Sequence, residues 1–277
     1  MKQNIVKGKV IFAGAGPGDP ELLTMKAFRF LQKADVVLTD RLVSEVIIQD
    51  YINPGAEVLH VGKRGGSDAS TPQSTINELL VEYVLQGKLV VRLKGGDVSI
   101  FSNILDELDI LTENKIPYEI VPGITSALGA AAYSGIPLTA RNYSTAVRFL
   151  TCYKTDVQTE EYWKDLASTS DTLVFYMSAE TADTVVAKLT ANNIDKEKLI
   201  AIVEQATTPL QTVYTTDLYQ FKEKFVDKTF ISPSILIIGK VVQLHEQFQW
   251  LHNRETAQEY FTQVEKDLVL YNKAERA

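Results

Sequence analysis

Apolar and polar positions alternate along this chain in blocks that predict strands and helices in turn. The unbroken run Val10-Ile11-Phe12-Ala13 predicts a buried strand. Leu23, Ala27, Phe30, Leu31 and Ala34 then share one helical face, so the stretch from Glu21 to Ala27 opens a helix. Val36 to Asp40 is a second strand, ending on an acid. Val58 to Gly62 is a third, followed by the basic turn Lys63-Arg64-Gly65-Gly66. Ser74 to Leu85 predicts a helix, and Leu89 to Leu93 a fourth strand that runs into Lys94-Gly95-Gly96-Asp97. A helix over Ile104 to Glu113 and a fifth strand over Glu119 to Val121 follow. A helix of small residues then opens within Pro122 to Tyr133. This order predicts an open, mostly parallel sheet covered by helices. Ligands of such sheets sit beyond the carboxyl ends of the strands. The turns after Ala13, Thr39, Gly62, Leu93 and Val121 all lie at those ends.

Around Pro137 to Ser144 the texture changes. Strands are predicted over Arg148 to Thr151, Thr172 to Met177, Leu199 to Glu204, Thr212 to Thr215 and Ser234 to Ile238. Helices are predicted over Thr181 to Asn192 and Asp217 to Phe225. The pattern is a second α/β unit with some antiparallel pairing. The expected division is 1–143 for the first domain, 144–245 for the second, and a polar, helical or partly ordered tail over 246–277.

Composition narrows the classes. The chain has 277 residues and is 45% hydrophobic, enough for one large domain or two small ones. Its net charge of -7 argues against nonspecific binding to nucleic acid. A single cysteine, Cys152, forms no internal disulfide and reads as core filler in a reducing compartment. The start, Met1 to Lys9, lacks the apolar core of a signal peptide. No apolar run is long enough for a bilayer. The expectation is a cytoplasmic protein without membrane or nucleic-acid partners. His60, His245 and His252 are scattered without metal-ligand spacing, so no metal is expected. Asp106, Glu107 and Asp109 read as a solvated helix face.

The stretch Gly14-Ala15-Gly16-Pro17-Gly18-Asp19-Pro20 carries the sharpest chemistry. A glycine-rich turn from strand to helix lets a ligand approach the backbone. The dinucleotide pattern nevertheless fails, because Asp19 stands where the third glycine belongs. Pro17 also removes a donor that a phosphate would use. Asp19 and Pro20 instead predict a helix start. The loop therefore suits a nucleoside-type ligand without a pyrophosphate. Asp40 reads equally as a ligand-facing acid or a surface turn acid beside Arg41. Lys63-Arg64 suits carboxylates or simple solvation. Pro122 to Ser126 suits a ligand or ordinary capping.

Taken together, Gly14 to Leu23, Asp40-Arg41-Leu42-Val43-Ser44, Val61 to Arg64, Val90 to Asp97 and Val121 to Thr139 resemble the S-adenosylmethionine-dependent tetrapyrrole methyltransferases. In the second half the resemblance runs through Thr172 to Met177, Ala201 to Thr208, Ser232-Pro233 and Ile237 to Val242. It extends to about residue 245. Asp40-Arg41-Leu42 and Val91 to Asp97 favour members acting on uroporphyrinogen III over those acting on later corrin precursors, diphthine or ribosomal RNA. The resemblance implies two α/β domains with the cofactor cleft between them, commonly in a homodimer. It places the cofactor, S-adenosyl-L-methionine (product S-adenosyl-L-homocysteine), against Pro17, Gly95, Gly96, Asp97, Ile100, Thr125, Ser126, Met177 and Ala206. Asp40 matches the family's proton acceptor and Lys63 its proton donor. The implied reaction methylates two ring carbons of uroporphyrinogen III to give precorrin-2, which feeds siroheme and cobalamin synthesis. Arg41, Arg64, Arg141 and Arg148, with Lys63, are candidates to meet the carboxylates of the tetrapyrrole.

The chain also departs from the family pattern. The stretch Val98 to Glu107 replaces a proline and phenylalanine, the loop glycines, and an arginine whose position holds Asn103. Cys152-Tyr153 replaces a glycine and histidine. Methylation of a later precorrin, or cofactor binding without catalysis, are the alternatives.

Overall fold

The apolar runs become the strands of two separate five-stranded sheets. The computed structural model describes residues 8–61, 71–152, 158–253 and 258–261. The first sheet is built from β1 (Lys9–Gly14), β2 (Val36–Thr39), β3 (Glu57–His60), β4 (Leu89–Lys94) and β5 (Tyr118–Val121). Their order is β3-β2-β4-β1-β5 and every pair is parallel. A parallel sheet covered on both faces needs unbroken apolar strands, and Val10 to Ala13 are fully buried. One face packs Val10, Phe12, Leu38 and Val90 on α2 (Gln73–Leu85) and α3 (Leu105–Glu113) through Ile76, Leu80 and Leu111. The other face packs Ile11, Ala13, Val37 and Val91 on Ala27 and Leu31 of α1 (Met25–Leu31).

The second sheet contains β6 (Val147–Thr151), β7 (Thr172–Tyr176), β8 (Leu199–Glu204), β9 (Thr212–Asp217) and β10 (Ser234–Gly239), in the order β6-β7-β10-β8-β9. β6 and β7 are parallel. β10 runs antiparallel to β7 and β8, and β9 is antiparallel to β8. The expected antiparallel pairing is therefore present. The helices of this unit are α4 (Ser126–Ser134), α5 (Glu160–Ser168), α6 (Ala182–Ala191), α7 (Phe221–Lys224) and α8 (His245–Phe248).

Several elements differ from expectation. The helix after Gly18 starts twice. Asp19 caps a single 3-10 turn over Pro20–Leu22, accepting the Glu21 N–H at 2.9 Å. Thr24 then caps α1, accepting from Ala27 N–H at 3.2 Å. β9 extends through Asp217, which leaves only α7 of the helix expected from that residue. α5 was not predicted. Its charged stretch buries Trp163, Leu166 and Ala167 on one face and is capped by Thr159. A π-helical turn over Ile47–Tyr51 was likewise missed.

Two compact units result. One runs to Thr125 and includes Phe261, and the other spans Ser126–Tyr260. The break comes ahead of the expected 143/144 boundary because α4 packs on β10 of the second sheet. Beyond α8 the described residues are held by side-chain hydrogen bonds. Trp250 Nε1 donates to the Ala132 carbonyl at 2.9 Å, and the Asn253 amide brackets both backbone groups of Val213 at 2.8 Å.

Candidate functional site

At the carboxyl ends of the first sheet the backbone packs on itself. Gly16 and Gly96 form an isolated antiparallel bridge, with hydrogen bonds of 3.1 and 2.8 Å. Ala15 N–H donates to the Lys94 carbonyl at 2.8 Å. The glycine loop after β1 is thereby joined to the Gly95-Gly96-Asp97 turn after β4. The third party is Gly123, after β5. A Cβ there would lie 2.3 Å from the Gly96 carbonyl oxygen, and a Cβ on Gly14 would lie 2.6 Å from Gly123 Cα. No side chain fits at either position without displacing backbone. Asp97 fastens the junction: one carboxylate oxygen accepts from Ser99 N–H and the other from Gly123 N–H, both at 2.8 Å. A Cβ on Gly95 would lie 2.8 Å from the Leu42 Cβ and carbonyl oxygen, so the Asp40-Arg41-Leu42 turn is seated against the same loops.

Beside this junction lies a buried cluster of four charges. Successive even positions of β4 face α3, so Arg92 and Lys94 enter the sheet–helix interface together. Arg92 Nη2 meets Asp40 Oδ1 at 2.6 Å, and its Nε meets Glu107 Oε1 at 2.9 Å. Lys94 Nζ meets Glu107 Oε2 at 3.2 Å. Glu107 is fully buried, Arg92 and Lys94 nearly so, and only Asp40 reaches the surface, with 27% of its side chain exposed. Two cations and two anions balance. Burial lowers the Lys94 pKa below the ordinary lysine value, Arg92 adds to the effect, and the two carboxylates only partly offset it. Burial also works against the Arg92 charge, but there Asp40 and Glu107 outweigh it and the pKa rises. Arg92 further donates to the Leu38 and Leu93 carbonyls at 3.3 and 3.4 Å. The Asp40 carboxylate is therefore held on a rigid, strand-mounted guanidinium.

In the second unit β7 and β8 both run antiparallel to β10, so their carboxyl ends share one edge of the sheet. Backbone strain collects there. Met177, directly after β7, adopts φ +52° and is exposed. Gln205 and Thr207, on either side of Ala206 after β8, adopt φ +48° and +68°. A β-branched residue in that region is a true outlier, and such strain clusters at functional sites. Ala206 is buried.

The candidate residues separate on this geometry. Pro17, Gly95, Gly96 and Asp97 meet in one junction, with Asp40 and Arg41 on the adjoining turn. Ile100 lies half-buried in the turn beyond, and Thr125 is buried at the end of the first unit. Ser126 opens α4. Lys63 and Arg64 lie outside the described residues. Arg141 is exposed beside a shallow depression lined by Thr139, Ala140, Ser144 and Thr145. The Arg148 guanidinium is paired with Asp171 at 2.6 Å, Asp165 at 2.5 Å and Thr169 at 3.1 Å, and so ties β6 to the start of β7 and the end of α5. Glu107 departs from expectation, since it is a core counter-charge and not part of a solvated face. Arg92 and Lys94 were missed as a functional pair. The signal was present: two cations two residues apart in an otherwise buried strand require buried acids opposite. In the altered loop, Phe101 and Asn103 both adopt φ +50°, so residues with side chains hold conformations suited to glycine, and Asn103 bonds Asp106 at 3.2 Å.

Residues 9–222 match the model of the tetrapyrrole (corrin/porphyrin) methylases, and the chain belongs to that family. It is 45% identical over 243 residues to a siroheme synthase of Saccharophagus degradans, which covers 88% of this chain and 53% of that protein. With the siroheme synthase of Pseudomonas aeruginosa the identity is 44% over 255 residues, covering 92% and 54%. The chain thus spans about half the length of these curated relatives. Among solved structures it is similar to uroporphyrin-III C-methyltransferase of Thermus thermophilus, at 31% identity and TM-score 0.73, covering 89% of this chain and 98% of that one. A structure of that Thermus enzyme complexed with S-adenosyl homocysteine matches at 33% identity and TM-score 0.71, covering 86% and 100%. Both α/β units are thus those of a tetrapyrrole methyltransferase. Among the described residues no helix is long and apolar enough to cross a membrane.

Proposed function

We propose that this chain transfers methyl groups from two molecules of S-adenosyl-L-methionine to two ring carbons of uroporphyrinogen III, giving precorrin-2 and two S-adenosyl-L-homocysteine. The observation that carries the reading is the match over essentially the full length of a uroporphyrin-III C-methyltransferase, with the Asp40 turn and both glycine loops in place. The residues present suit this cofactor. The Asp19 carboxylate occupies the first turn after the glycine loop, where a pyrophosphate would otherwise sit, and Pro17 offers no N–H. An acid there disfavours a dinucleotide and tolerates a cationic sulfonium. Pro17, Gly95, Gly96, Asp97, Ile100, Thr125, Ser126, Met177 and Ala206 would hold the cofactor.

The bound cofactor supplies a methyl group that is already electrophilic. What the protein adds is position and proton handling, and fixed geometry can remove roughly 7–11 kcal/mol of barrier. Asp40, fixed by Arg92, accepts a proton as the macrocycle gains its methyl groups, and Lys63 returns one. Arg41, Arg64 and Arg141 meet the substrate carboxylates. A homodimer and a cytoplasmic setting belong to the same reading. Incubating the protein with S-adenosylmethionine and enzymatically generated uroporphyrinogen III, with products read by mass, tests it. Two added methyl groups are expected. A product with none overturns the activity, and tighter calorimetric binding of NAD than of S-adenosylhomocysteine overturns the cofactor assignment.

A further inference from the structure

The turn that carries Ala206 is held from two sides by buried amides. Gln211 Oε1 accepts the Thr207 N–H at 2.8 Å while its Nε2 donates to the Tyr133 carbonyl of α4 at 3.1 Å. Thr208 Oγ1 donates to the Gln205 carbonyl at 2.8 Å and accepts from Leu210 N–H at 3.1 Å. Gln205 N–H donates to the Pro233 carbonyl at 2.8 Å. Its side chain, 1% exposed, points away from the turn and reaches the C-terminal segment. There Oε1 accepts the Tyr260 N–H at 2.6 Å and Nε2 donates to the Gln258 carbonyl at 3.0 Å. A glutamine amide matched to one backbone N–H and one backbone C=O mimics the pairing of one rung of a sheet ladder. Asn253 does the same to Val213 on the free edge of β9. These contacts all lie in the second unit, and both C-terminal anchors fall beyond the 9–222 family match.

We propose that the C-terminal segment is a positioning element of the cofactor site, acting through the Gln205 clamp on residues 258–260. Residues 205 and 207 both sit in left-handed backbone. An L-residue leaves that region unless its surroundings over-determine it. Gln211 restrains Thr207 directly. Gln205 has its backbone N–H on Pro233, and its side chain is anchored by the C-terminal segment. Without that anchor, residue 205 can relax and carry Ala206 with it, so that only a fraction of molecules present the competent turn. The apparent affinity falls by that fraction. The inference rests on the proposal that Ala206 faces the cofactor.

The test uses the full-length protein and S-adenosylhomocysteine as calorimetric probe. Tyr260→Pro removes the N–H that bonds Gln205 while leaving Gln205 untouched. Gln205→Ala removes both bonds of the clamp. Both variants are expected to raise Kd about five-fold or more, the equivalent of one or two hydrogen bonds. In steady state the KM for S-adenosylmethionine should rise and that for uroporphyrinogen III should not. Hydrogen exchange at residues 206–208 should speed up at temperatures well below the unfolding midpoint. A purely structural role would lower the midpoint and leave the split between the two KM values unmoved. Unchanged Kd in both Tyr260→Pro and Gln205→Ala overturns the proposal. Failure of the unmodified protein to bind S-adenosylhomocysteine overturns instead the cofactor reading on which it stands.

Discussion

Replacing Glu107 with glutamine removes one charge from the buried cluster and almost no volume. Glu107 is fully buried and bonds Arg92 at 2.9 Å and Lys94 at 3.2 Å. Each such charge-assisted bond is worth about 1.5–3 kcal/mol. Removing one partner of a buried ion pair costs about 3–5 kcal/mol, because the other charge stays behind uncompensated. Glutamine can still accept one bond, but its NH2 then faces the second cation. Lys94 is the group that gives way. Its pKa is already lowered, chiefly by burial and then by Arg92, whereas that of Arg92 is raised. The unfolded chain keeps the Lys94 proton up to about pH 10.4, while the folded variant releases it earlier. Between those values the unfolded state binds more protons, so stability rises with pH. Each pH unit within that window returns up to about 1.4 kcal/mol. Urea unfolding followed by circular dichroism at pH 7 and pH 9, variant against parent, reads this directly. The expected loss is about 3–5 kcal/mol at pH 7 and clearly smaller at pH 9. A loss below about 1 kcal/mol at pH 7, or one that does not shrink as pH rises, would refute the assignment of Glu107 as the neutralising core charge.

Two further changes probe the site itself. Asp40→Asn should leave S-adenosylhomocysteine affinity nearly unchanged and lower turnover by about 10²–10⁴-fold, the usual share of a positioned proton acceptor; near-normal turnover would make Asp40 a structural partner of Arg92 and nothing more. Phe101→Gly should relieve a left-handed backbone worth about 1–2 kcal/mol, less about 0.5–1 kcal/mol of added chain entropy, so thermal unfolding should rise slightly; a clear fall would show that the Phe101 ring contributes more by packing than its backbone costs.

The strands of the first sheet were legible because burial on both faces demands unbroken apolar runs, and Val10 to Ala13 or Val36 to Leu38 can be little else. The turns were legible for a different reason. Asp19-Pro20 and the glycine pairs carry their conformational requirements in the residues themselves, whatever packs around them. Glu107 was not legible from its neighbours. Leu105-Asp106-Glu107-Leu108-Asp109 has the texture of a solvated face, and its burial follows from a register thirteen to fifteen residues away, where Lys94 and Arg92 point at the same spot. The pairing of Arg148 was hidden in the same way, since Asp165 and Asp171 lie on other parts of the chain. In both cases the residue is a charge, and its environment is set by another charge on a different part of the chain. Apolar residues announce their burial by type. A charged residue is buried only where an opposite one waits, so its role is a property of pairs. The one local trace is a cation inside an apolar strand, and Arg92 with Lys94, two apart in β4, leaves that trace twice. Any acid on the helix covering that face becomes a candidate partner, and the helical period then selects among them. Asp106 and Asp109 stand exposed on α3 while Glu107 turns inward with Leu111, which puts the acid where the strand needs it and fixes Asp40 at the other end of the same guanidinium.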